Sequence, residues 1–245
     1  MLFQLVRQQL VLRYRRTVFG YFWTLLNPIL MMTVTAVVFS ALFKVDLKTF
    51  AIFLFAGMIP WNSFNAMVTQ SATAFINNEA LIKKIYLPKL IFPLSICLGV
   101  LIDSVFSFAA LLTIILLIGG QVSWALLFIP VAFILLFIFS FGVVLLISVT
   151  TVFFRDLQYV IGIVLQALFF LSPILYKSSA LAGKVAFIVK INPISTYINL
   201  FRSPILDAAL PAVSVIINAS FIGFASLFLG LLFFMKQEQK IVFRL

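Results

Sequence analysis

Long apolar runs broken by short polar segments organise the whole chain. In the first 16 residues Leu2, Leu5, Val6 and Leu10 recur at helical spacing, with Gln4, Arg7 and Gln8 between them. This stretch ends on Arg13, Arg15 and Arg16, and the pattern predicts a helix lying on a membrane surface over residues 1–17. Apolar runs then predict membrane-crossing helices over 18–43, 50–75, 91–118, 122–154, 157–176 and 213–235. The first of these contains Pro28, and the second contains Gly57 and Pro60. Three polar interruptions stand between spans: "NNEALIKKIYLPK" at 77–89, "GGQVS" at 119–123 and the pair Arg155–Asp156. Residues 177–207 read differently. Their apolar pieces are too short to cross and are broken by Gly183, Pro193, Pro204, Lys177, Lys184, Lys190 and Arg202. Such a stretch predicts short re-entrant helices dipping into the outer part of the membrane, where irregular backbone must be buried in protein or line a cavity. Pro193 and Pro204 are expected to break them.

Composition agrees with an all-α membrane protein of a single transmembrane domain, residues 1–245. Hydrophobic residues make up 64% of the chain and charged ones 9%, against about 45–50% and about 25% in soluble domains. The net charge of +11 would suggest nucleic acid in a soluble protein. Here the basic residues cluster at the ends of apolar runs, where orientation in a membrane explains them more simply. With both termini inside, the inner segments hold Arg7, Arg13, Arg15, Arg16, Lys83, Lys84, Lys89, Arg155, Lys236, Lys240 and Arg244. That is 11 of the 17 basic residues, which predicts cytoplasmic termini.

Several chemistries are excluded. The chain has no histidine, so Ser-His and Cys-His catalysis and the usual zinc sites are absent. Its six carboxylates are Asp46, Glu79, Asp103, Asp156, Asp207 and Glu238, and only Asp103 lies deep in an expected span. No acid pair is poised for hydrolysis, and no metal site is expected. A G-x-x-x-x-G-K-[ST] phosphate loop is missing, since Ser178 stands where the first glycine before Gly183–Lys184 would be. Cys97 is the only cysteine, which rules out an intrachain disulfide. The start "MLFQLVRQQLVLRYRR" shows no small-residue cleavage site, so no cleavable signal is expected.

Six stretches in order, "RYRRTVFGYFWTLLNPILMM" (13–32), "AGMIPWNSF" (56–64), "NNEALIKKIYLPK" (77–89), "VFFRDLQYV" (152–160), "LSPILY" (171–176) and "INPIS" (191–195), resemble the permease subunit of type-2 ABC polysaccharide exporters. Members of that group move O-antigen, teichoic-acid or capsule chains. The resemblance implies a multi-pass subunit of the bacterial inner membrane, paired with a second copy of itself and with two cytoplasmic ABC ATPase subunits. ATP and Mg belong to those partners; no cofactor is expected in this chain, and no nucleic acid. The substrate implied is a lipid-pyrophosphate-linked glycan, most simply O-antigen. The run "FGYFW" at 19–23 differs from the "LGPLW"-like form of many O-antigen permeases and keeps capsule export open.

The resemblance also assigns residues. Segment 77–89 matches a coupling helix that docks into the ATPase, with Asn78, Glu79, Leu81, Lys83, Lys84 and Tyr86 as contacts. Local chemistry agrees: Asn78 can cap the helix, Glu79 suits its N-terminus, Glu79 and Lys83 pair at i,i+4, and Pro88 ends it. An ordinary loop helix would look the same. Arg155 and Asp156 fall at the cytoplasmic mouth, as a gate or pyrophosphate contact, or simply as a turn with a local ion pair. Arg13, Arg15 and Arg16 can steer a lipid headgroup or only orient the chain. Asp103 should face the protein interior, bonded to Ser104, Ser107 or a neighbouring span. Phe22, Trp23, Trp61, Tyr176 and Arg202, with Asp103, are the channel candidates. An ion-coupled transporter or flippase acting alone is the other transport class, but it often shows paired halves and several intramembrane charges; this chain has no repeat and one deep acid. An intramembrane enzyme lacks its catalytic groups here.

Overall fold

The computed structural model describes residues 2–14, 23–85, 87–117, 123–178 and 182–245. Among these residues every regular element is helical and no strand occurs. In chain order the α-helices are α1 (Leu2–Tyr14), α2 (Trp23–Phe43), α3 (Leu47–Ala72), α4 (Glu79–Lys84), α5 (Ile91–Leu117), α6 (Ile129–Phe153), α7 (Leu157–Phe170), α8 (Gly183–Ile191), α9 (Pro193–Leu206) and α10 (Val213–Arg244). Short 3₁₀ turns, Ile76–Asn78 and Trp124–Phe128, lead into α4 and α6.

Local chemistry explains the starts. Asp46 caps α3, its carboxylate accepting from the Thr49 N–H at 3.0 Å and the Thr49 hydroxyl at 2.9 Å. Ser123 opens the turn before α6, accepting from the Ala125 N–H at 3.3 Å. Asn192 caps α9 through the Ile194 N–H at 3.1 Å, with Pro193 in the first helical turn, where its missing N–H costs nothing.

Among the described residues four helical stretches are long and apolar enough to cross a membrane: Leu47–Ala72, Ile91–Leu116, Trp124–Phe153 and Val213–Arg244. Two further apolar stretches, Ile29–Phe43 within α2 and Leu157–Phe170, are shorter. The expected spans therefore meet four helices of crossing length, and the fifth is corrected: it ends at Phe170, not at Tyr176. Pro173 is the reason, because it disfavours the helical conformation of Ser172 before it. The last apolar run continues through its polar tail as one helix of 32 residues. In 177–207 one proline separates short helices as expected and the other does not: α8 ends at Ile191, just before the Asn192–Pro193 pair. Pro193 starts α9, and Pro204 lies inside its last turn.

The bundle has two distinguishable ends. One carries Asp46 and the hydrogen bond from the Ser123 hydroxyl to the Ala208 carbonyl, 3.0 Å. The other gathers α4, Lys89 and Glu238. Between them α6 and α10 form the most extensive helix pair. Their backbones touch: a Cβ on Gly142 would stand 2.5 Å from the Leu227 nitrogen, and one on Gly230 would stand 3.0 Å from the Gly142 Cα. Only glycine fits there. The Ser226 hydroxyl adds a bond to the Phe139 carbonyl at 3.0 Å.

Helix α3 lies against α5, α6 and α9. Rings join these elements: Phe64 stacks on Phe139 at 5.5 Å, Phe139 on Tyr197 at 4.8 Å, and Phe133 meets Phe201 edge-on at 4.8 Å. Offset and edge-on pairs add about 0.5–1.5 kcal/mol each beyond the area they bury. On α1, Leu5 and Val6 are buried against the bundle while Phe3, Gln4, Arg7 and Gln8 are exposed.

Candidate functional site

Helix α7 stops inside the bundle. Its 14 residues reach about 21 Å, short of a hydrocarbon core of about 30 Å. Phe169, next to its last residue, meets Trp61 at 5.6 Å between centroids, and Trp61 sits near the middle of α3. A helix end leaves its last four carbonyls without partners, and away from water each costs several kcal/mol if left so.

Each of these carbonyls has a donor. Ala167 O accepts from the Leu171 N–H at 3.1 Å and Phe169 O from the Ser172 N–H at 3.2 Å. The Ser172 hydroxyl donates to Leu168 O at 2.7 Å, and the Tyr176 hydroxyl to Phe170 O at 2.9 Å. Beyond the helix, Leu171 O accepts from the Asn192 amide at 3.3 Å and Ser172 O from the Ile174 N–H at 2.7 Å. The Arg202 guanidinium donates to both Pro173 O and Ile174 O, the latter at 2.9 Å. The "LSPILY" stretch is thus a helix break closed by side chains of its own and of the α8–α9 region.

Arg202 is 7% exposed. Its guanidinium lies 3.8 Å from the centroid of the Phe53 ring and reaches the Phe53 carbonyl at 3.5 Å. A Cβ on Gly57 would meet its Nη2 at 2.8 Å, so the glycine leaves the room the guanidinium occupies. Its Nε has no partner, and among the described residues no carboxylate bonds it. Carbonyl dipoles and an aromatic face carry the charge instead.

The polar end of the bundle is built otherwise. Ile82 is buried, while Lys83 and Lys84 are exposed. Lys83 Nζ bonds Glu79 Oε1 at 2.6 Å. That hydrogen bond, then the charge of Lys83 and, more weakly, that of Arg155, hold the Glu79 carboxyl below its usual range. Asn78 does not cap α4 as expected: its amide donates back to Ala74 O at 2.8 Å, since the 3₁₀ turn continues from the end of α3. Phe75, fully buried, stacks on Phe234 of α10 at 6.3 Å, and Lys89 Nζ lies 3.9 Å from Glu238 Oε1. The polar segment therefore leans on the projecting part of α10.

The model of one family, described as ABC-2 type transporter, matches residues 1–206. The chain belongs to that family. It is similar to an O-antigen export system permease protein RfbA of Klebsiella pneumoniae, 29% identical over 207 residues, which cover 84% of this chain and 80% of the relative. A protein of the same name from Myxococcus xanthus is 28% identical over 213 residues, 86% of this chain and 82% of the relative.

In this ABC-2 permease most of the described candidate residues gather in two places, and Asp103 and Trp23 stand apart from both. Glu79, Lys83 and Arg155 come together at the polar end, with half-buried Leu81 and exposed Lys84 beside them. Arg155 and Asp156 are exposed, and no ion pair joins them; Asp156 starts α7 through its carbonyl, which accepts from the Tyr159 N–H at 3.0 Å. Tyr176 and Arg202 meet at the break, and Trp61 is buried against it. Asp103 is elsewhere, half-buried on α5, and the hydroxyls of Ser104 and Ser107 donate to the backbone carbonyls of Val100 and Asp103, not to its carboxylate. Trp23 is half-buried at the start of α2. Arg15, Arg16, Phe22 and Tyr86 lie outside the described residues, as does the side chain of Arg13. Sequence reasoning missed Asn192 and Ser172. The Asn–Pro pair at 192–193 carried a signal, because a capping residue before proline marks a helix start.

Proposed function

We propose that this chain is the membrane-spanning subunit of an ATP-driven exporter that moves a lipid-pyrophosphate-linked polysaccharide, most simply O-antigen, across the bacterial inner membrane. The observation that carries this reading is the similarity to O-antigen export permeases along 84% of the chain. A second copy of the chain and two cytoplasmic ABC ATPases complete the machine, and ATP and Mg act in those partners. Both termini and α4 face the cytoplasm, and 171–206 closes the outer half of the path.

Six residues cannot hold a helix in water alone, so α4 depends on Ile82 and on the ring pair Phe75–Phe234 behind it. Its exposed Lys83 and Lys84 are offered to the ATPase, and movement there reaches α10. Arg155, coupled by charge to Glu79, borders the same surface. The "FGYFW" run leaves a capsule chain open as the alternative cargo.

Depletion of the protein decides the cargo: O-antigen on its lipid carrier should accumulate in the cytoplasm. Accumulation of a capsule glycan would shift the assignment, and export that continues without ATP would end the ABC reading. Reversing both charges, Lys83→Glu with Lys84→Glu, should stop export and reduce the ATPase recovered with the permease. Normal export from that double variant would move the docking surface away from α4.

A further inference from the structure

The break in α7 and the helix that braces it are joined by one side chain. We infer that Arg202 is the pin of the outer closure: its guanidinium locks the open carbonyls of 173–174 and helix α9 onto α3, so the three are one plug. Four observations meet on this residue. It bonds the carbonyls of Pro173 and Ile174 on the broken segment and sits over the ring and beside the carbonyl of Phe53 on α3. It fills the space that Gly57 leaves empty. It is buried, and its Nε is unpartnered. No other described side chain ties the break to α3 by hydrogen bonds.

The chemistry explains why arginine stands here. Its planar fork presents several donors at fixed angles, so one side chain reaches two successive carbonyls; a lysine ammonium is a single compact charge. A buried ionised group stripped of partners is strongly destabilising, so the pin holds unless something pulls it out. Intramembrane charges usually mark a transport path. Here the charge is turned onto backbone, away from any carboxylate, and it acts on passage by holding its neighbours. It is a positioning residue.

The pin depends on reading 171–206 as the outer closure of an export path, and the experiment separates the two. Ile174 is fully buried, and so is the native Cys97 on α5. In the full complex in membranes, Ile174→Cys should resist a small thiol reagent applied from outside, and Cys97 should resist it too. Adding Arg202→Gln should raise labelling at 174 by about tenfold or more while Cys97 stays protected, because a local closure opens without the rest of the fold. Arg202→Lys should fall between. Unchanged protection at 174 in Arg202→Gln overturns the pin. If Arg202→Gln exposes Cys97 as well, Gly57→Ala decides, since its Cβ crowds the guanidinium without removing its charge. Labelling at 174 with Cys97 protected then supports the pin, and protection at both positions, or labelling at both, overturns it. Glycan export measured on the same variants tests the exporter reading alone: loss of export with 174 still protected retains that reading and rejects the pin.

Discussion

Helices α6 and α10 hold together by having almost nothing between them, whereas the segment after α7 and helix α9 hold together by what reaches across. At Gly142 and Gly230 two backbones touch, and contact is dispersion between atoms that cannot move aside. At the break, Asn192, Ser172, Tyr176 and Arg202 each supply donors to a backbone that cannot satisfy itself. The first arrangement resists any change of volume but tolerates polar losses. The second tolerates small changes of volume and fails when a donor is lost. A membrane makes both possible, since without water a missing side chain and a missing hydrogen bond are each felt in full.

Substitutions can break the two regions separately. The largest effect is expected from Gly142→Val. Its Cβ would fall on the backbone of Ser226 and Leu227, and overpacking against backbone should cost about 3 kcal/mol or more. The check is the yield of folded protein in membranes and its thermal midpoint; near wild-type values would show that the pair can slide apart.

Next comes Asn192→Ala, which strips the α9 cap and leaves Leu171 O and the Ser172 hydroxyl short of a donor. A loss of about 1–3 kcal/mol is expected, and hydrogen exchange should locate it at 171–195 while α6 and α10 keep their protection. Uniform loss across the molecule would deny that the break is a separate unit. Tyr197→Phe should be milder. Its hydroxyl donates to Ala219 O at 2.8 Å, but its ring keeps the stack on Phe139. Bonds of this kind between membrane helices average about 0.6 kcal/mol, which a thermal-shift measurement resolves.

The smallest effect lies at the polar end and depends on pH. The Glu79 carboxyl is held below its usual range in the folded protein. Its contribution is therefore complete above the unfolded value of about 4.3 and fades as pH falls through the folded one. Protection of the α4 amides, taken relative to their intrinsic exchange rate at each pH, should be unchanged from pH 7 to about pH 5 and should fall only in stronger acid. Glu79→Gln should remove that dependence, leaving the break unaffected.

Four helices of crossing length were readable from hydropathy, because unbroken apolar runs leave few alternatives to a helix. The family was readable from six short stretches in register. What failed has a common cause. "LSPILY" is apolar enough to prolong a span, and hydropathy does not register whether a carbonyl has a donor. Arg202 stood out as a charge, yet its bond to Phe53 O joins residues 149 positions apart, which no local pattern reveals. Asn78 had the right type and spacing for a cap, but the 3₁₀ turn before it had already turned its amide toward Ala74. The polar tail looked like an end because its composition changed, while the helix of α10 ran on through Arg244.

Arg202 also has an electrical consequence. The brace at the break contains a full positive charge with no carboxylate bonded to it among the described residues. Carrying one such charge across a whole membrane takes about 2.3 kcal/mol for each 100 mV. A clasp made of neutral donors would be indifferent to voltage. This one is not: any shift of α9 along the membrane normal carries an elementary charge through part of the field, and the potential either assists that shift or resists it.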